Sequence, residues 1–421
     1  MRGHSCGYKT CRGRDGGAQH FAARSPSTTS YHHRNMALHS QALLTLVTLA
    51  ALVAAGARAD EVFADNELVL AVLIHRHGDR TPLDGILEFS TDPDAVREAT
   101  EPYGYGQLTN AGRRTAYQLG KSIRKRYGDL ISAHYNRSEI FIRSTDSTRA
   151  KMTVLTAMAA VYPAGDDNWS DSLPWQPTPY TMVPARYDPN LASINCPTLI
   201  NASSGKTYAT SPAMERYTDV LNQWSELIAF NITATPSLAY SIYDIYKSQI
   251  SLGVPLPDEL QALMPEIEEI AGIALDISMG DDDHALLAAG VYMNDVVTAM
   301  TSAASGDVSQ PLRIYSAHDA NVFVVMAASR VTPRQVAPAY CSSFTLELRK
   351  RTDTGAYVVL PVYQASPDAE PVHLQVEGCS ALLCPLDEFV SITKPFVLDE
   401  DTWRENCAYT DDLDIDESMF D

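Results

Sequence analysis

One imidazole lies between two guanidinium groups in the segment 76–82, which reads RHGDRTP. Two permanent cations disfavour the protonated form of His77, and a neutral imidazole is a nucleophile. A phosphate dianion would satisfy both Arg76 and Arg80, because guanidinium groups donate paired hydrogen bonds to phosphate oxygens. The residue types therefore predict phosphoryl transfer, in which His77 attacks phosphorus and the two arginines hold the phosphoryl oxygens.

An apolar run precedes this segment and must position it. Residues 68–74 read LVLAVLI, and a continuous apolar run of this length predicts a strand that is buried on both faces. Gly78 and Pro82 interrupt the pattern, so we expect His77 to lie where the strand ends and a loop begins. Ligands of open α/β sheets bind beyond the carboxyl ends of the strands, which is where this imidazole would lie.

Four further segments follow in order along the chain. They read GYGQLT at 104–109, FIRSTD at 141–146, WQP at 175–177 and YSAHD at 315–319. Together with RHGDRTP they resemble the landmarks of the histidine acid phosphatases, in that family's order and over nearly the whole mature chain. Within the family, the chain most resembles the prostatic and lysosomal branch and its secreted relatives.

The resemblance implies an acid phosphatase that hydrolyses phosphate monoesters in two steps through a phosphohistidine. His77 would be the nucleophile, and Asp319 would protonate the leaving alcohol oxygen as a general acid. The residues expected to bind phosphate are Arg76, Arg80, Arg143 and His318. The alternatives are a narrow-specificity relative, either a phytase or a lysophosphatidate phosphatase, and a non-catalytic secreted binder on the same scaffold.

Some of these residues have other interpretations. An Asp at a strand-to-helix boundary is often an N-cap, so Asp319 has a structural alternative. Metal-ligand types are also present, namely His75, His77, His318 and Asp319. Zinc ligands are usually more closely paired, and three arginines would repel a dication, so we expect neither a metal nor a cofactor. Arg149 lies further along the predicted helix, and we expect it to be an ordinary residue.

The chain alternates apolar strands with amphipathic helices. This pattern predicts an α/β fold, with a central mixed sheet flanked by helices and an inserted, mostly helical domain. Strand patterns occur at 68–74, 140–142, 312–315, 344–348 and 357–360, the last two as a hairpin that closes the sheet edge. Helical patterns in the inserted region occur at 211–232, 258–273 and 282–304. Pro265 is expected to kink or split the second of these helices.

The predicted boundaries follow from these patterns and from the N-terminal segment. They are 1–35 for an extension of unassigned role, 36–59 for a signal peptide, 60–163 and 305–421 for the two parts of an α/β phosphatase domain, and 164–304 for the inserted helical domain. The apolar run at 42–55 and the sequence ARA at 57–59 indicate the signal peptide. A membrane anchor is the alternative, for which the run is short.

A signal peptide predicts a secreted protein, with the lysosome as an alternative compartment. Four sequons predict glycosylation, at Asn136, Asn168, Asn201 and Asn231. The formal net charge of −20 argues against nucleic acid or an anionic membrane as a partner. The expected partner is a small phosphate monoester. The sequence shows no membrane span in the mature chain, and the resemblance implies a homodimer.

Five cysteines follow the predicted signal peptide. The close spacing of Cys379 and Cys384 predicts a local disulfide bond. The resemblance implies a second bond between Cys196 and Cys407. Cys341 is then left over, because the position near residue 246 where the family carries its partner has no cysteine. We expect Cys341 to be a buried free thiol at the start of a strand.

Overall fold

The computed structural model describes residues 65–165, 168–203, 211–334 and 337–415. The predicted extension, signal peptide and cleavage site lie outside these residues. The strands are β1 (Asn66–Arg76), β2 (Ile140–Ser144), β3 (Thr181–Met182), β4 (Leu312–Ala317), β5 (Val331–Thr332), β6 (Ser343–Arg351), β7 (Tyr357–Gln364), β8 (Val372–His373), β9 (Gln375–Val376) and β10 (Cys384–Pro385). The α-helices are α1 (Pro93–Thr100), α2 (Asn110–Tyr127), α3 (Thr148–Val161), α4 (Ala192–Asn195), α5 (Pro197–Ser203), α6 (Pro212–Glu215), α7 (Thr218–Ile228), α8 (Ala239–Ser251), α9 (Asp258–Met279), α10 (Asp282–Ala304), α11 (Asp319–Ala328), α12 (Leu386–Thr393) and α13 (Glu400–Asn406). Short 3₁₀ helices connect some of them.

The central sheet has the strand order β10-β7-β6-β1-β4-β2-β3, and β8 pairs with β7. The neighbouring strands β1, β4, β2 and β3 are parallel to one another. Strand β6 pairs antiparallel with both β1 and β7. The sheet is therefore mixed, which confirms the predicted α/β class. The predicted hairpin of β6 and β7 is present, but β10 and β8 extend the sheet beyond it.

Strand β1 lies at the centre of the sheet, and its side chains alternate between two helical layers. Ala71 and Leu73 pack against α2 and α3, in a core that includes Leu119 of α2. On the other face, Leu70 and Val72 belong to the core formed with α10 and α11. A strand covered on both faces needs apolar residues at every position, which explains the continuous run in the sequence.

The register of the parallel strands aligns their carboxyl ends. Arg76 at the end of β1 lies opposite Ala317 at the end of β4, and Ser144 at the end of β2 lies opposite Ser316. The residues that follow these strands therefore meet at one edge of the sheet, even though they are far apart along the chain.

Most of the described residues between β3 and β4 are helical. Two of the helical segments predicted in this region differ from the structure. Helix α9 is continuous through Pro265 and extends to Met279. Its buried face continues from Leu260 to Leu275 across the proline, so packing offsets the one backbone hydrogen bond that proline removes. The segment predicted as one helix at 211–232 is divided into α6 and α7. The assignment of 164–304 to a separate domain stays a prediction.

Two disulfide bonds join the predicted partners, Cys196 with Cys407 and Cys379 with Cys384. Cys341 is a buried free cysteine, as predicted. It lies just before β6, where burial raises the pKa of its thiol well above the ordinary value. No helix in the described part of the chain is both long and apolar enough to cross a membrane.

A close contact between α2 and α3 generates a stability prediction. A Cβ atom at Gly120 would lie 2.0 Å from the carbonyl oxygen of Ala157. We expect Gly120→Ala to lower the free energy of unfolding by about 1–3 kcal/mol, because the two helices must move apart. Urea unfolding measures this. Gly85→Ala is the matched control, since a Cβ there has no heavy atom within 4 Å. Intrinsic helix propensity predicts the opposite sign at Gly120, so a stabilised variant would contradict the packing argument.

Candidate active site

A cavity of about 220 Å³ opens at the sheet edge where the carboxyl ends of β1 and β4 meet. Its charged and ionisable lining includes His77, Arg80, Arg149, Asp244, His318 and Asp319. The cavity therefore joins residues from the two predicted motifs with residues that the sequence did not single out.

His77 is the first residue after β1, and its imidazole is buried. Its Nδ1 lies 2.9 Å from the carbonyl oxygen of Gly78. A carbonyl oxygen only accepts hydrogen bonds, so Nδ1 carries the proton and donates it. The lone pair then resides on Nε2, the nitrogen available to a substrate. Burial, and then the cations of Arg149 and Arg76, lower the pKa of His77 well below its ordinary value. The imidazole is therefore neutral in moderately acidic solution.

The loop that carries His77 is clamped against the start of α2. A Cβ atom at Gly78 would lie 2.6 Å from the carbonyl oxygen of Gly112, and a Cβ at Gly112 would lie 2.1 Å from that of Asp79. Only glycine fits at either position. The carboxylate of Asp79 also accepts hydrogen bonds from the hydroxyls of Thr115 and Ser251. These contacts hold the loop, and with it the imidazole, in one position.

Arg76 and Arg80 are both buried, and one carboxylate orients them. An NH2 atom of each donates to a different oxygen of Asp244, at 2.8 Å from Arg76 and 2.6 Å from Arg80. Burial alone lowers the pKa of Arg76, but Asp319 and other nearby groups, including Asp244, raise it well above the ordinary value. Asp244 was not predicted. The available signal was weak: it is the one charged residue in the run AYSIYDIY at 239–246.

Arg149 and Arg143 lie on the predicted helix and strand, but their surroundings differ from the expectation. Arg149, expected to be ordinary, lines the cavity and is buried; that expectation was wrong. Burial, and then the Arg80 cation, lower the pKa of Arg149 to about 9, so it stays charged at neutral and acidic pH. Arg143, predicted to bind phosphate, does not line this cavity. It lies within β2, whereas Arg149 lies in the first turn of α3, next to the cavity.

The guanidinium of Arg143 pairs with the buried carboxylate of Asp188, at 2.6 Å. Asp188 also accepts a hydrogen bond from the backbone N–H of Asn190. The segment from Asn190 to Ser193 lines the cavity. Arg143 thus supports one wall of the cavity through Asp188 instead of contacting its interior.

His318 and Asp319 follow β4 and begin α11. The Nε2 atom of His318 lies 3.0 Å from the hydroxyl of Thr145, and its ring centroid lies 5.4 Å from that of His77. His318 is the N-cap residue of α11, so the capping alternative for Asp319 is not realised. The sequence motif therefore brings both side chains beside the predicted nucleophile.

The carboxylate of Asp319 has three close partners. Its Oδ1 atom accepts a hydrogen bond of 2.7 Å from the backbone N–H of Ala320. Its Oδ2 atom lies 2.8 Å from an NH2 atom of Arg76 and accepts a hydrogen bond of 2.7 Å from the hydroxyl of Tyr240. Burial by itself raises the pKa of Asp319. The Arg76 cation and then the hydrogen bond from Tyr240 act in the opposite direction, and the resulting pKa lies below the ordinary value. Asp319 therefore loses its proton more readily than an ordinary aspartic acid. Tyr240, which also lines the cavity, was not predicted.

The structure also shows where the side chains that could bind a metal ion lie. His75 is buried in β1 and donates from Nδ1 to the carbonyl oxygen of Arg76; it does not line the cavity. Among the described residues, one group of potential ligands is compact, namely Cys379, Cys384 and Glu388. Its two cysteines form a disulfide bond and offer no thiolate.

Known proteins resemble this chain over most of its length. Residues 67–244 match the model of the histidine phosphatase superfamily (branch 2). The chain is 31% identical to prostatic acid phosphatase of Bos taurus over 353 residues, which cover 82% of this chain and 88% of that protein. It is 28% identical to lysosomal acid phosphatase of Xenopus laevis over 365 residues, which cover 84% of this chain and 82% of that protein.

Solved structures show the same fold. The phytase of Citrobacter braakii aligns with a TM-score of 0.58 at 14% identity, covering 80% of this chain and 98% of that chain. The phytase of Hafnia alvei in complex with tartrate aligns with a TM-score of 0.59 at 15% identity over the same shares. The chain belongs to the histidine phosphatase superfamily, branch 2. The predicted enzyme class, an acid phosphatase, is confirmed by these relatives.

The positions of the two arginines generate a paired prediction. We expect Arg149→Gln to raise the inhibition constant for inorganic phosphate about 10- to 150-fold, since a hydrogen bond to a charged group contributes about 1.5–3 kcal/mol. We expect Arg143→Gln to change this constant little. It should instead lower the free energy of unfolding by about 3–5 kcal/mol, because it leaves Asp188 buried without its partner. Inhibition kinetics and urea unfolding measure the two effects. A large loss of phosphate affinity in Arg143→Gln, with none in Arg149→Gln, would restore the sequence-based assignment.

Proposed function

We propose that this chain hydrolyses phosphate monoesters in two steps, through a phosphohistidine on Nε2 of His77. The observation that carries the proposal is the fixed tautomer of His77, which places a lone pair on the nitrogen available to the cavity. The charges of Arg149, Arg76 and Arg80 all act on the imidazole of His77, and these three guanidinium groups would bind the phosphoryl oxygens. Guanidinium groups stabilise the charge that spreads over these oxygens in the transition state.

In the first step, the lone pair on Nε2 forms a bond to phosphorus while the bond from phosphorus to the ester oxygen breaks. The leaving oxygen needs a proton unless it is a good leaving group. Asp319 lines the same cavity and would donate that proton as a general acid. His318 would donate a hydrogen bond to a phosphoryl oxygen.

The proton on Asp319 would arrive with the substrate, because the lowered pKa of Asp319 favours the carboxylate. A phosphate monoester has a second pKa of about 6 and keeps one proton in acid. Its negative charge, bound beside Asp319, would raise the pKa of the carboxyl group and draw Arg76 toward the phosphate. The substrate proton can then move to Asp319. Because the pKa of His77 is lowered, acidic conditions can supply the proton donor while His77 resists protonation.

In the second step, water attacks phosphorus and the bond from phosphorus to Nε2 breaks. The Asp319 carboxylate, left after the first step, would accept the proton of the water as a general base. Phosphate leaves, and His77 recovers its lone pair. The residues of the cavity suffice for both steps, which disfavours the alternative of a non-catalytic binder.

We also propose that the protein passes through the secretory pathway and reaches the extracellular space or the lysosome. The two disulfide bonds support an oxidising compartment. The predicted glycosylation sites Asn136, Asn201 and Asn231 are exposed. Asn168 is half-buried, and its amide donates to the carbonyl oxygens of two nearby residues, which makes it the least accessible of the four. The proposed homodimer rests on the family resemblance.

The nucleophile can be tested directly. We expect His77→Ala to lower kcat by roughly 10⁴-fold or more, as replacement of a covalent nucleophile does, and to abolish a phosphoenzyme trapped in alkaline denaturant. Exposed His134→Ala is the control and should keep both properties. A folded His77→Ala protein that still forms a phosphoenzyme would rule out this residue as the nucleophile.

The proton donor has a different signature. Asp319→Asn preserves the shape of the side chain but removes the acid. We expect kcat to fall about 10²- to 10⁴-fold for alkyl phosphates and far less for p-nitrophenyl phosphate, whose leaving group needs little protonation. The same variant with two substrates is its own control. Equal losses for both substrates would indicate that Asp319 only supports the structure.

A further inference from the structure

The charges of the cavity are concentrated around His77. Arg80 pairs with Asp244 at 2.6 Å, and Asp319 pairs with Arg76 at 2.8 Å. The side chains that complete much of the remaining lining carry no charge. Eight of them are apolar, and six of these form what we call the apolar wall: Leu83, Ile86, Leu191, Met279, Ala288 and Val324.

The apolar wall is assembled from distant parts of the chain. Ile86 belongs to a 3₁₀ helix after β1, Met279 ends α9, Ala288 lies in α10 and Val324 lies in α11. Leu191 lies beside the Arg143–Asp188 pair, in the 3₁₀ helix Pro189–Leu191. These elements fix the surface before a substrate binds, so an apolar group would be desolvated against a preformed surface.

Tyr240 connects the apolar wall to the reacting atoms. Its hydroxyl donates to Oδ2 of Asp319, and the residue lines the same cavity. A leaving oxygen that takes a proton from Asp319 therefore lies near Tyr240. The group attached to that oxygen would extend from this point along the uncharged lining.

A second phosphate group on the substrate would find little to bind. Of the described residues that line the cavity, Arg80 and Arg149 are the only arginines, none is a lysine, and His284 is the only histidine besides His77 and His318. Both arginines are already needed around His77. Asp244 and Asp319 would repel a further anion, and burial of a charge without a partner is unfavourable.

We propose that the preferred substrates carry a single phosphate on an apolar alcohol or phenol, and that the apolar wall binds this leaving group. This inference rests on the proposed hydrolysis of monoesters and names its substrate class. The phytase alternative expects the opposite preference, for an alcohol that carries several phosphates.

A homologous series tests the inference, because straight-chain alcohols differ little as leaving groups. Substrates are ethyl, butyl and hexyl phosphate, phenyl phosphate, glycerol 2-phosphate and inositol hexakisphosphate. We expect kcat/KM to rise roughly fourfold for each added methylene that contacts the wall, and inositol hexakisphosphate to be the poorest substrate. A comparison of kcat/KM for phenyl phosphate with kcat/KM for hexyl phosphate distinguishes a preference for aryl groups from a preference for alkyl groups. Calorimetric binding of alkylphosphonates of the same lengths measures the contact without turnover.

Two variants locate the effect. Met279→Gln and Ile86→Gln place an amide in the apolar wall, and we expect each to lower kcat/KM for hexyl phosphate several-fold more than kcat/KM for glycerol 2-phosphate. Leu227→Gln is the matched control, since this leucine is exposed and lies outside the cavity. It should change neither substrate.

The outcomes separate the two proposals. Failure to hydrolyse any monoester would contradict the proposed function. If the affinity for alkylphosphonates still rose with chain length, the role of the apolar wall in binding would remain supported. Hydrolysis of all substrates without dependence on chain length, or with inositol hexakisphosphate preferred, would overturn the inference and leave the function intact. Equal losses for hexyl phosphate and glycerol 2-phosphate in both wall variants would also overturn it, because the wall would then only support the fold.

Discussion

Three guanidinium groups lie buried at one edge of the sheet, and the site depends on how their charge is balanced. Removing a cation from water costs several kcal/mol unless a partner compensates. Asp244 pairs with both Arg76 and Arg80, and Asp319 pairs with Arg76. The pocket is positive within an acidic chain of net charge −20, so attraction of a phosphate must be local. A bound phosphate would complete the balance that the two carboxylates begin.

The same cations determine the state of the nucleophile. Burial together with Arg149 and Arg76 lowers the pKa of His77, and the Gly78 carbonyl oxygen selects the tautomer. In the proposed function, one arrangement of charges therefore serves two purposes: it would bind the phosphoryl group, and it lowers the pKa of the imidazole. A histidine in water would be mostly protonated in acid.

The two sides of the cavity are held by separate interactions. Clamped glycines and Asp244 position the side that binds phosphate. On the other side, the Arg143–Asp188 pair supports the segment that carries Leu191. The Cys196–Cys407 disulfide joins the same region to the C-terminal helix, in a small core that includes Ala192. Changes in the leaving-group side can therefore alter the choice of substrate while the chemistry of the phosphate side is kept.

The sequence alone determined the residues that follow buried strands, because a continuous apolar run defines the strand and the next residue must lie at its end. His77, His318 and Asp319 were predicted in this way, and so was the mixed α/β sheet. Tertiary structure alone decided what the helices contribute. Asp244 and Tyr240 arrive from α8, far along the chain, and no local pattern encodes that contact. It also brought Arg149, in the first turn of α3, into the lining of the cavity while Arg143 pairs with Asp188, because the direction of a side chain depends on how its element packs.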